Sequence, residues 1–163
     1  MSITSTIING LTRSYQDSVD AAVEIGEGLS EEEFWTKPYP YGNSIGHLVL
    51  HVTGNLSYYI GAVIAETGYV RDRPREFTEP NPPPKEEALR RLRDAVDIVV
   101  ATLRSQTDES WSLLYTADNA PDIVDTRFDM FLRCATHFEH HVGEMVYMKR
   151  EWRIEERGAR ESI

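Results

Sequence analysis

Apolar residues recur at steps of three and four along the start of the chain, at Ile3, Ile7, Leu11, Tyr15, Val19, Ala22, Gly26 and Leu29. Arg13, Gln16, Asp17, Asp20 and Glu24 fall largely on the other side, so the pattern predicts one long amphipathic helix ending near Gly28. Ser30 followed by Glu33 has capping-box spacing and predicts a short helical turn carrying Phe34 and Trp35, stopped by Pro38 and Pro40. Beyond a turn at residues 39–42, Asn43 or Ser44 caps a second helix. Its apolar stripe is Ile45, Leu48, Val49, Val52, Leu56, Tyr59, Ile60 and Val63, with Gly68 as its stop.

Residues 69–84 lose this period and hold Pro74, Pro80, Pro82, Pro83 and Pro84, the composition of a stiff crossover. A third helix opens at Lys85-Glu86-Glu87, with carboxylates at the positive end of its dipole, and buries Leu89, Leu92, Ala95, Val96, Val99 and Leu103. Residues 106–124 read as irregular, with a turn at Asp108–Trp111 and an extended piece at 113–115. A fourth helix starts near Asp125 or Thr126 and runs to about Trp152. Its apolar side carries Phe128, Phe131, Leu132, Ala135, Phe138, Val142, Met145 and Met148.

Four long helices without strand alternation predict an all-α four-helix bundle with a long crossover between helices 2 and 3. No repeat or compositional break divides the chain, so residues 1–152 read as one domain and the charged tail at 153–163 as frayed. The 163 residues carry 17 Lys+Arg against 27 Asp+Glu, a net charge of −10. That balance argues against nucleic-acid binding, which depends on clustered cations. No window reaches a membrane span and nothing near Met1 reads as a signal peptide, so the expected location is cytoplasmic. The single cysteine, Cys134, excludes an intrachain disulfide and a cysteine-cluster metal site. On an apolar helix face it reads as packing.

The chemistry-bearing pattern is histidine placement. All five histidines sit in two windows, SIGHLVLHVTGN with His47 and His51, and THFEHHVGE with His137, His140 and His141. Each window holds an i, i+4 pair, which projects from one helix face with Cβ atoms about 5–6 Å apart. His51 borders the buried stripe of the second helix, and His137 and His141 share a face of the fourth. His140 is rotated from His141 by about 100° and does not readily join the same site. His47, one turn before His51, has the option of leaning the same way; it and His140 are read as outside the ligand set or behind it. The spacing therefore predicts a divalent metal at His51, His137 and His141, with one coordination position open as in catalytic sites. Glu144, one turn from His141, is the candidate catalytic residue: it is placed to bond a ligand histidine, to act as a general base, or to take the open position. Asn55 is placed to orient His51 or a substrate, or to face a wet cavity, and Tyr58 and Tyr59 read as core aromatics.

Asn43-Ser44-Ile45-Gly46 with His51-Val52 resembles the second-helix SIGxLxxHL pattern of the DinB/YfiT-like superfamily, and the fourth helix resembles its HxxHHxGQ segment. Leu29-Ser30-Glu31-Glu32-Glu33 and Lys37-Pro38 are similar to the same family, so the likeness covers roughly residues 1–150. It implies a down-up-down-up bundle with a long crossover, His51, His137 and His141 as ligands to zinc or nickel, and a homodimer. It also implies thiol S-transfer with a low-molecular-weight thiol such as bacillithiol or mycothiol, or hydrolysis, on a small-molecule substrate. The alternative is a non-catalytic metal-binding or dimerising scaffold. Three positions depart from the family pattern: His47 stands where a large apolar residue is common, Val142 where Arg is common, and Glu144 where Gln is common. Without Arg at 142, an anionic-substrate contact does not carry over from the family.

Overall fold

Hydroxyl caps set the starts of several helices. In the computed structural model, which describes residues 2–118, 120 and 124–161 and side chains up to residue 153, Ser2 accepts the Ser5 amide and opens α1 (Ile3–Glu27). Ser30 and Glu33 form both halves of a capping box, at 3.2 and 2.6 Å, and start the one-turn α2 (Glu31–Trp35). Of the two predicted caps, Ser44 opens α3 (Ile45–Leu56) by accepting the His47 amide at 3.1 Å. Thr126 and Asp129 cap α7 (Arg127–Glu161) reciprocally, at 3.3 and 2.8 Å.

The second predicted helix is not uniform. After Leu56 the chain widens into a π-helical turn, Ser57–Ala62, in which Val63 donates to the Tyr58 carbonyl and Ala65 to that of Ile60. The wider turn ends the helix before Gly68, and Glu66 (φ 54°) and Gly68 (φ 76°) redirect the backbone. The crossover is not wholly irregular either, because Arg75–Thr78 form the single turn α4. α5 (Lys85–Arg104) and the turn α6 (Asp108–Trp111) stand where the sequence places them. Of the stretch at 106–124, residues 119 and 121–123 lie outside the described residues; within it Leu114 pairs with Thr126 in an isolated antiparallel bridge. The described residues contain no strand. The helical backbone of α7 continues past Trp152, where the sequence places its end, and reaches Glu161. Residues 162 and 163 lie outside the described residues.

Long helices α1, α3, α5 and α7 pack as a four-helix bundle, α1 and α3 each lying against α5 and α7. Side-chain pairings give their directions. Ser14 meets Glu139, and Lys149 reaches the Glu24 carbonyl, so α1 and α7 are parallel. Lys85 at the start of α5 meets Leu29 and Glu31 just past the end of α1, and Arg93 meets Glu27, so those two are antiparallel. Trp35 packs on Gly46, which puts the start of α3 at the same end as the start of α5. The order is therefore up-down-down-up, not the expected alternation. Parallel α3 and α5 require the connection between them to run back along the bundle.

The predicted stripes supply the core. Tyr15, Phe34, Ile60, Leu92, Phe131 and Phe138 are fully buried, each contributing about 1.5–3 kcal/mol of apolar burial. Tyr15 also donates its hydroxyl to the Phe131 carbonyl at 2.7 Å, pinning α1 to α7. Two stripe positions are not core: Ile3 is 78% exposed at the first turn of α1, and Leu132 is 44% exposed because the buried face of α7 turns through Met130, Phe131 and Cys134 instead.

Candidate metal centre

Three imidazoles meet between α3 and α7. His51 comes from α3 and is buried, while His137 and His141 stand one turn apart on α7 with their rings perpendicular and centroids 4.5 Å apart. The Nε2 atom of His137 lies 3.3 Å from that of His51 and 3.2 Å from that of His141. Candidate ligand atoms of all three lie within 4.8 Å of one another.

Two of the three outer nitrogens are fixed by carboxylates, while Nδ1 of His137 is buried and meets no partner among the described residues. His51 Nδ1 donates to Glu76 Oε2 at 2.8 Å, and His141 Nδ1 donates to Glu144 Oε2 at 2.7 Å. A proton held on Nδ1 leaves Nε2 as the lone-pair nitrogen, the form that binds metal. Burial, followed by the neighbouring His141 and His51, pulls His137 down to about 3, and burial lowers His141 despite Glu144. Both rings are therefore neutral near neutral pH.

This arrangement fits a divalent ion. One proton on His137 Nε2 can serve only one of its two Nε2 contacts, whereas one cation serves all three nitrogens. Two nitrogens on a tetrahedral ion with bonds of about 2.0–2.1 Å stand about 3.3–3.4 Å apart, close to the spacing here. The donor set is all nitrogen, as zinc and nickel accept.

Glu76 and Arg71, neither singled out by the sequence, complete the surroundings of His51. Arg71 grips the Glu76 carboxylate through Nε at 2.7 Å and Nη2 at 3.0 Å; Glu76 is buried and Arg71 half-buried. Phe77 covers the His51 ring at 4.7 Å. These residues sit in or beside α4, which the returning crossover lays against α3; Gly54 makes room, since a Cβ there would run into Glu76. The one available signal was an acid in an aperiodic, proline-rich stretch, which by itself points nowhere.

Other candidates occupy distinct places. His47 bonds Ser44 through Nδ1 at 2.6 Å and meets Trp35 edge-on, away from the cluster. His140 is exposed and meets Glu144 Oε1 at 3.2 Å. Both Glu144 oxygens thus face histidines on α7, on the side of His141 remote from its Nε2. Cys134 is buried against Met130, and burial pushes its thiol up to about 12. Tyr59 is buried and Tyr58 half-buried, packed edge to face.

A cavity of about 690 Å³ opens beside His51 and His137, lined also by Asn55, Tyr58, Arg73 and Arg133. Asn55 is 8% exposed, and its Oδ1 meets no hydrogen-bond donor among the described residues. No helix among the described residues is long and apolar enough to cross a membrane.

Comparison with known proteins adds the lineage. A crystal structure of a conserved protein from Enterococcus faecalis shares the fold, with a TM-score of 0.72 and 19% identity, covering 93% of this chain and 97% of that chain. No curated protein matches. Residues 15–145 match the sequence profile of the DinB superfamily, a span that takes in parts of α1 and α7 and everything between. A bundle of this topology, a match over most of its length and histidines gathered from its second and fourth long helices agree: the chain belongs to the DinB superfamily.

Proposed function

We propose that the protein is a metal-dependent enzyme that holds zinc or nickel at His51, His137 and His141 and acts on a small molecule in the adjoining cavity. The observation that carries this reading is the approach of the His51 and His141 Nε2 atoms to that of His137, at 3.3 and 3.2 Å, beside a cavity of about 690 Å³. That volume lies in the range of small-molecule sites, about 300–1,000 Å³. A divalent ion on three histidines supplies a Lewis acid with an open position, suited to activating water or a thiol.

The chain's own residues set the frame. Glu76 and Glu144 hold the outer nitrogens of His51 and His141, and Phe77 keeps water off the His51 ring. Glu144 thereby acts as a positioning residue, the first of the three roles its spacing allows. Cys134, buried with its thiol at about 12, is no nucleophile. The attacking group therefore comes from outside the chain: water, giving hydrolysis, or a low-molecular-weight thiol, giving S-transfer.

Protein purified without chelator should carry about one zinc or nickel per chain by elemental analysis, and His51→Ala and His141→Ala should lose it. Retention of metal by both variants would reject the ligand set. Loaded protein should then either hydrolyse an ester or amide, or consume a thiol against an epoxide or chlorinated electrophile. Inactivity on both panels with metal bound would leave the non-catalytic scaffold instead.

A further inference from the structure

We infer that the cavity beside the histidine cluster takes a small organic anion, with the guanidinium groups of Arg133 and Arg73 receiving its oxyanion. This rests on the proposed metal centre for what happens to the ligand, but not for the binding itself.

In a chain of net charge −10, arginines have carboxylates readily at hand, and many use them. Arg71 pairs with Glu76, Arg75 with Glu79, Arg90 with Glu87 and Asp94, and Arg93 with Glu27. Arg133 and Arg73 meet no carboxylate within ion-pair distance among the described residues, yet both line this cavity. Arg133 is half-buried, so its charge is partly removed from water without a counterion. Arg73, just before α4 and exposed, lies over the Phe77 ring at 5.6 Å, beside the residue that covers His51. The acid lining the cavity among the described residues is Asp118, which is exposed and bonded to neither arginine.

A second observation points to a ligand independently. Asn55 lines the same cavity, is more than nine-tenths buried, and leaves its Oδ1 without a donor. A buried acceptor left unpaired is unfavourable and calls for a partner that the protein itself does not supply. A ligand spanning these groups carries an oxyanion at the arginine side and a hydrogen-bond donor, such as a hydroxyl or amide, near Asn55. Its remaining atoms lie by His137 and His51, within reach of the proposed centre. Guanidinium forks suit carboxylate and phosphate alike.

Isothermal titration can test this with benzoate, malate and glycerol phosphate as probes, and benzamide as the neutral counterpart of benzoate. Benzoate or malate should bind the wild-type protein, and benzamide should bind at least about tenfold more weakly. Arg133→Gln and Arg73→Gln should each weaken the anion by about tenfold, while Arg93→Gln, remote from the cavity, should leave it unchanged. Stronger binding of glycerol phosphate than of either carboxylate would assign the oxyanion to a phosphoester. Equal affinity for benzoate and benzamide, unchanged affinity in Arg133→Gln, or no binding of any anion would overturn the inference. Anion binding that persists in a protein found to hold no metal would reject the metal centre alone. Metal binding with no arginine-dependent anion site would reject this inference alone.

Discussion

Glu76 accepts a hydrogen bond from Nδ1 of His51 at 2.8 Å, although the two residues belong to different segments, the crossover and α3. Arg71 holds the same carboxylate through two nitrogens, so the acid arrives already paired, and its burial is offset by two charge-assisted bonds. The result is a rigid mount for one ring of the cluster. Glu144 gives His141 a comparable mount from within α7, but at the exposed end of the site.

Removing the buried mount should loosen the centre without dissolving the bundle. Glu76→Ala is expected to weaken zinc binding by about 10–100-fold, the usual effect of losing a carboxylate behind a ligand histidine. Competition against a chromophoric chelator measures it, with circular dichroism to verify the helices. Unchanged affinity would show that His51 is oriented by packing alone.

Gly54→Ala gives a sharper test, because two effects oppose each other. In an ordinary helix interior the added methyl would stabilise by about 1 kcal/mol. Here the new Cβ collides with the Glu76 carboxyl, so the variant should keep helix content yet lose metal affinity. A gain in both stability and affinity would contradict the packing of α4 on α3.

Cys134 should resist alkylation in the folded protein. With its thiol pushed up to about 12 by burial, about one molecule in ten thousand is thiolate at pH 8, and the sulfur is also covered. Iodoacetamide labelling followed by mass spectrometry should stay near zero until denaturant is added. Rapid native labelling would require an open path to the core.

The cap at α2 predicts a pH-dependent increment of stability. The Ser30 backbone amide and hydroxyl, bonded to Glu33, hold its carboxyl below the usual value. A lowered folded value means that stability is present above the ordinary carboxylate range and is lost as pH falls through the folded value. Ser30→Ala should cost about 1 kcal/mol at neutral pH in urea unfolding. Glu33→Gln, which removes the carboxylate and keeps the Ser30 hydroxyl, should lie below wild type at neutral pH, and that gap should narrow as Glu33 is protonated.

Tyr15→Phe removes the hydroxyl bonded to the Phe131 carbonyl while keeping the ring, and should cost about 1 kcal/mol. A loss well under half of that would mean that the carbonyl is satisfied by its own helix.

The bundle and the histidine set were legible because both are periodic. Apolar spacing located all four long helices, and the i, i+4 spacing of His137 and His141 fixed their common face whatever α7 packed against. What stayed hidden depends on connections. Arg71, Glu76 and Phe77 lie in a stretch without period, and their position beside His51 follows from α3 and α5 running the same way, a direction no local pattern encodes. The π-helical turn at Ser57–Ala62 was hidden for a related reason: its residues keep a helical apolar pattern, and only the hydrogen-bond shift from Tyr58 onward reveals the wider winding. Ile3 and Leu132 show the limit of stripe counting, since a hydrophobic residue in register is buried only where a neighbour covers it.

The segment that braces His51 stands apart from the main core, with residues on either side of α4 exposed. Framework and chemistry are therefore partly separable in this molecule: the rods carry the thermodynamic load, while a short strip laid along them adjusts one imidazole and one cavity wall. Grafting a different strip between the same two helices would retune the pocket and leave the scaffold standing.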